Sequence, residues 1–198
     1  MIVTVRDWGF SEAENSFLEL AAALPTDTEK LKEILDSGLD VNAPSRDKRS
    51  TLAYCALEQF GGYNSVCTKP HVFSAYEQGG ELHMKYDTSA LMDVVRLFLA
   101  HGMDVNGSTA FGTILDTMLY GANDENTLAA ARLLLQHGAD PNLPDSCGQN
   151  ICDRAGEEDF GQIQMWNNPK PGLPDYYGRF CVLLSEFGGR PLCTDWPY

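Results

Sequence analysis

A five-residue phrase recurs three times in this chain: Gly38-Leu39-Asp40-Val41-Asn42, Gly102-Met103-Asp104-Val105-Asn106 and Gly138-Ala139-Asp140-Pro141-Asn142. Each copy follows apolar residues at helical spacing, namely Leu31, Ile34 and Leu35, then Val95, Leu97, Phe98 and Leu99, then Ala131, Leu133, Leu134 and Leu135. Glycine just past a helix takes the left-handed conformation without a Cβ clash, and Asp and Asn beyond it suit a tight turn through side chain to backbone hydrogen bonds. A helix, a stop and a turn repeated in this way predict stacked units, not a single globular core. A fourth copy, Cys181 to Gly188, keeps the helix and the glycine but runs into Gly189-Arg190-Pro191, and reads as a terminal repeat.

These residues resemble the ankyrin repeat family, whose units begin T-P-L-H-x-A and end in leucines followed by G-A-D-x-N, with a period of about 33 residues. Leu133 to Asn142, LLLQHGADPN, lies close to that pattern. The helix starts Ser50-Thr51-Leu52-Ala53-Tyr54-Cys55, Thr113-Ile114-Leu115-Asp116-Thr117-Met118 and Asn150-Ile151-Cys152-Asp153-Arg154-Ala155 depart from it, for none has the family's Pro or His. The resemblance covers four units from Ser11 to Pro191, with the first helix of unit one within Ser11 to Leu24. It implies an all-α, ankyrin-like solenoid of about four helix pairs, a single domain over residues 1–198, and a protein-binding surface.

Insertions mark where this chain departs from a plain stack. Ser50 stands 52 residues before Gly102, Thr113 stands 25 before Gly138, and Asn150 stands 38 before Gly188. Against about 21 residues in the family pattern, the excess is about 31, about 4 and about 17, placed between the two helices of a unit. The two long insertions, about 60–87 and about 157–175, are expected to leave the stack from one edge, the arrangement that binding loops use. The first carries Phe60, Tyr63, Phe73, Tyr76 and Tyr86 among Gly61-Gly62 and Gly79-Gly80. The second carries Phe160, Met165 and Trp166 ahead of a Pro-rich run, with Tyr176 and Tyr177 following. Aromatic rings either anchor interfaces or tether long loops to the stack, and about half are expected to do only the latter.

Charge narrows the partner. The chain carries 28 acidic and 14 basic side chains, a net charge of −14. Between Asp116 and Asp159 there are nine acids and two bases, so a quarter of the chain holds half of that charge. Such a surface repels nucleic acid phosphates and anionic lipid and attracts a basic protein. Tyr63, Tyr76 and Trp166 are therefore the candidate anchors, and Glu157, Glu158 and Asp159 the candidate acidic rim.

Nothing in the sequence forms a catalytic constellation: it has no phosphate loop, no G-x-S-x-G, no H-E-x-x-H and no C-x-x-C. Cys67 and His71, with His83 nearby and Cys55 as a further ligand, have only weak metal spacing, so neither metal nor cofactor is expected. Asp153 and Glu157 fall at helical spacing but read as a solvated acidic face, and His101 and His137 as complements to helix C-termini. The six cysteines are expected to be reduced. No basic leader precedes an apolar stretch near Met1 to Phe10, and no run approaches the roughly 18 apolar residues of a membrane span, which predicts a cytoplasmic protein, monomeric when free. The functions that fit are an inhibitor or immunity-type protein that captures a basic toxin or effector, a generic ankyrin adaptor, or an acidic DNA mimic.

Overall fold

The chain opens its first helix with a reciprocal cap. The Ser11 hydroxyl accepts the Glu14 N–H and the Glu14 carboxylate accepts the Ser11 N–H, which satisfies two amides that a helix start leaves unpaired. In the computed structural model the described residues are 9–23, 25–58, 60, 74–78, 81–85, 88–110, 112–119, 124–156 and 175–192. They form helices α1 (Glu12–Ala21), α2 (Thr28–Asp36), α3 (Leu52–Glu58), α4 (Leu91–Ala100), α5 (Asp116–Leu119), α6 (Glu125–Gln136), α7 (151–156) and α8 (Tyr176–Glu186). Asp27 and Asp124 cap α2 and α6 by accepting the N–H three residues on.

All four second helices end on a glycine in the left-handed region, Gly38, Gly102, Gly138 and Gly188, with φ between 76° and 100°. At the last three, the glycine N–H reaches back three residues and the next N–H reaches back five, as in Met103 to the Phe98 carbonyl and Ala139 to the Leu134 carbonyl. This double closure satisfies carbonyls that the helix end strands, and only glycine adopts that φ freely.

Pairs then stack: α1 packs on α2 and α3, α3 on α5, α2 on α4, and α4 on α6. The core runs through the layers, with Phe17, Leu31, Leu52, Leu57, Phe98, Leu115, Leu134 and Phe180 fully buried. Phe17 of α1 meets Phe98 of α4 at 5.7 Å between ring centroids. Each such side chain stabilises the stack by about 1.5–3 kcal/mol relative to exposure. Leu35, Leu135 and Leu184 are buried, but Leu99 is only partly so, because in α4 the neighbouring Phe98 takes the central position.

The expected all-α solenoid of helix pairs is thus present, with one addition. Ser74–Gln78 (β1) and Glu81–Lys85 (β2) pair antiparallel inside the first insertion, with Gly79-Gly80 between them in sequence. A Gly-Gly pair flanked by strands is a hairpin signal that the reading of this segment as a loop passed over. Among the described residues no helix is long and apolar enough to cross a membrane.

Candidate functional site

Two edges of the stack are built by different chemistry. On the turn edge the Asp of each repeated phrase shapes its own turn: Oδ1 of Asp40, Asp104 and Asp140 accepts the N–H of Asn42, Asn106 and Asn142 at 2.8–3.0 Å. The asparagine side chain is thereby aimed at the next unit. Asn42 donates through Nδ2 to the Gly102 carbonyl (2.9 Å) and accepts the Asp104 N–H (2.8 Å). Asn106 repeats this bidentate clamp on Gly138 and Asp140, and Asn142 repeats it on Gly188 and Arg190. His101 and His137 donate through Nδ1 to the carbonyls of Leu97 and Leu133, so the expected role at helix C-termini is borne out. His101 adds a contact from Nε2 to Asp36 of the preceding unit at 3.0 Å.

At two of the first-helix starts an aspartate, Asp116 or Asp153, stands where the family has histidine, and at the other it is Ala53. The Asp116 carboxylate accepts the Thr113 N–H and hydroxyl on one oxygen and the Arg154 guanidinium on the other. Arg154, in α7, also binds Asp145 at 2.6 Å, so units three and four share one ionic cluster. Asp116 is 0% exposed and Arg154 11%. Burial pushes the Asp116 carboxyl above its ordinary value, opposed by Arg154 and Thr113. Asp153 accepts the Asn150 N–H while Asn150 accepts that of Asp153. The carboxylate is buried and serves as a helix cap, which overturns its reading as part of a solvated acidic face with Glu157.

The opposite edge carries the ends of both insertions. Thr88, where the first insertion returns, donates its hydroxyl to Asp124, and the Asn126 side chain donates to Thr88. Tyr176, where the second insertion returns, donates its hydroxyl to the Met118 carbonyl at 2.7 Å, and Arg179 grips Glu125 with both terminal nitrogens. The starts of α4, α6 and α8 therefore lie side by side, which puts the return points of the two insertions on one edge. Phe60, Tyr176 and Tyr177 are buried tethers and not anchors. Tyr176 also stacks on Tyr177 and Phe180, and burial pushes its hydroxyl upward.

Of the candidate binding residues, Tyr76 sits on β1 opposite His83, and its side chain lies outside the described residues. Tyr63, Glu157, Glu158, Asp159 and Trp166 also lie outside them, as do Cys67 and His71 of the weak metal spacing. Cys55 is buried within α3 against the Ser50 hydroxyl. Cys55, Cys147, Cys152 and Cys181 are free thiols, and burial pushes that of Cys152 up to about 12, away from nucleophilic reactivity. Among the described residues no group of three His, Cys, Asp or Glu converges on a point where a metal would sit.

One surface was not legible in the sequence. Between α6 and α8 runs a groove of about 630 Å³, lined by Leu128, Ala129, Val182 and Leu183 and bridged by the Glu125–Arg179 and Arg132–Glu186 ion pairs. Its signal is the pair of i, i+3, i+4, i+7 rows on the two helices, but nothing in the order of residues says that those rows face each other.

No family model matches the chain. It is 29% identical over 153 residues to the ankyrin repeat and MYND domain-containing protein 1 of Homo sapiens. The match takes in 68% of this chain and 16% of that protein. A surface built from stacked units of this kind is a protein-interaction scaffold. The helix pairs, the four glycine-closed helix ends, the asparagine clamps and this similarity bear out the resemblance drawn from the repeated phrase: the chain is an ankyrin-like repeat stack.

Proposed function

We propose that the protein is an inhibitor or immunity-type module that captures a basic protein, such as a toxin or effector, in the cytoplasm, and that it is monomeric until it does so. The observation that carries this reading is that Asp124 and Glu125 stand on the edge where both insertions return to the stack, at Thr88 and Tyr176. In sequence, the segment from Asp116 to Asp159, with nine acids and two bases, leads into the second insertion. A rim of Glu157, Glu158 and Asp159 around Trp166, Tyr63 and Tyr76 steers a cationic protein and then holds it by desolvated rings. A plain adaptor would need neither the insertions nor the charge.

The test is binding kinetics against a partner recovered by affinity capture from the native host and identified by mass spectrometry. Trp166→Ala is expected to raise the dissociation rate about thirtyfold, the loss that corresponds to an anchor of about 2 kcal/mol. Reversal of Glu157, Glu158 and Asp159 to Lys is expected to slow association and flatten its dependence on ionic strength, because rim charges act through steering. Wild-type binding by both variants, with binding abolished by substitutions at Arg46, Lys48 and Arg49 on the turn edge, would place the interface on the other side and overturn the proposal.

A further inference from the structure

The groove between α6 and α8 has a physical cause. On its other flank α6 packs closely on α4, whereas toward α8 the seam carries Ala129, whose short side chain leaves space unfilled, and Gly178, over which the Asp175 carboxylate lies where a Cβ would be. Val182, at the middle of the seam, is 59% exposed, an unusual position for a branched apolar side chain flanked by two ion pairs. Glu125 and Arg132 stand two turns apart on α6, so the apolar stretch between the bridges is about 10 Å long, room for one large side chain.

Its two ends differ in charge. At the far end Arg132 and Glu186 neutralise each other at 2.8 Å. At the end nearest the insertions, Glu125 and Asp175 share a single guanidinium, Arg179, and Asp124 adds a third carboxylate beside Glu125. Asp124 is already bonded to Thr88 and Thr127, and Glu125 to Arg179. Among the described residues nothing donates to the Asp175 carboxylate, which is held at the start of α8 with φ at 64°. One end of the groove thus presents acid in excess.

We propose that this groove docks a segment of a partner protein in which a large apolar side chain is flanked by Lys or Arg, the apolar group lying over Val182 and Ala129 and the cation at Asp175. The assignment rests on the reading of the partner as basic and adds to it a second contact surface, outside the insertions. Charge selects the occupant: phosphates of nucleic acid or lipid are repelled by the three carboxylates, and a second copy of a chain with net charge −14 is repelled as a whole. A cation beside an apolar anchor satisfies Asp175 and covers Val182 together.

The experiment uses the full chain, labelled with nitrogen-15, titrated with a capped nonapeptide holding one Trp between two Lys in a Gly-Ser background. Two controls replace either both Lys by Glu or the Trp by Ser. Expected are amide shifts at Ala129, Gly178 and Val182 with the Lys-Trp-Lys peptide, and affinity weaker by about tenfold or more with each control. Ala129→Leu, which fills the groove from an exposed helical position, is expected to weaken binding by a similar factor. Asp175→Asn is expected to narrow the difference between the Lys and Glu peptides while leaving the thermal transition unchanged. Absence of shifts at these amides, equal binding of the Ser control, or full binding by Ala129→Leu would overturn the inference. Should Ala129→Leu bind the captured basic partner like wild type while Trp166→Ala fails to hold it, the groove falls and the proposed function stands. If no basic partner is captured but the Lys-Trp-Lys peptide still titrates these amides, the proposed function falls and the groove keeps its chemistry.

Discussion

The turn edge and the insertion edge of the same stack follow opposite rules. On the turn edge one device, an asparagine gripping a carbonyl and an N–H of the next unit, is used three times at nearly constant distances of 2.8–3.2 Å. Among the described residues of the insertion edge no contact repeats: Thr88 with Asp124, Tyr176 with Met118 and Arg179 with Glu125 each occur once. A bond between a side chain and backbone survives sequence divergence in the next unit, because every residue supplies a carbonyl and nearly every one an N–H. Bonds between two particular side chains must be invented one interface at a time. Regularity therefore accumulates where the stack holds itself, and individuality on the edge proposed to recognise a partner.

The sharpest way to break this contrast lies in the side-chain cluster of Arg154, Asp116 and Asp145. Arg154→Met would leave Asp116, wholly buried, facing Asp145 without a cation. Removing one partner from such a pair is expected to cost about 3–5 kcal/mol in denaturant unfolding. A loss under about 1 kcal/mol would mean that the ionic cluster contributes little to the joint between units three and four. On the insertion edge, Tyr176→Phe removes the donor to a buried Met118 carbonyl and is expected to cost about 1–3 kcal/mol, with the turn-edge amides unchanged in hydrogen exchange. Spread of faster exchange to Gly138 and Asp140 would show the two edges to be coupled. The smallest effect is expected from Asn106→Ala, about 1 kcal/mol, because the groups it releases are exposed and water replaces the clamp. Faster exchange at the Asp140 N–H alone would confirm that each clamp acts locally, whereas no change there would show that the clamp contributes nothing.

Much of the stack could be read from residue order, and the reasons are local. The Ser11 cap with Glu14, the stripe of Leu31, Ile34 and Leu35, and the glycines after the second helices all act within one or two turns of chain, so their spacing contains their geometry. The same spacing led to the expectation of two long insertions on one edge, and the described residues at which they return, Thr88 and Tyr176, both lie beside the start of α6 or the end of α5. It was less successful with residues that have two uses. Asn42, Asn106 and Asn142 were assigned to their own turns, yet it is the aspartates that make the turns and free the asparagines to bridge units. Asp153 was placed on a solvated face and is a buried cap. Tyr176 and Tyr177 looked equally suited to an interface and to the core.

What the sequence determined by itself was the existence, order and ends of the helical units, because helix formation and termination depend on neighbours a few residues away. What only the tertiary structure decided were relations across long separations: Arg154 with Asp116 at 38 residues, Tyr176 with Met118 at 58, and the rows of α6 and α8 at 54. Stacking, which depends on the shape of the neighbouring unit as a whole, settles whether two such rows interlock or stand apart. Between α4 and α6 they interlock, and between α6 and α8 the short Ala129 side chain leaves a groove unfilled.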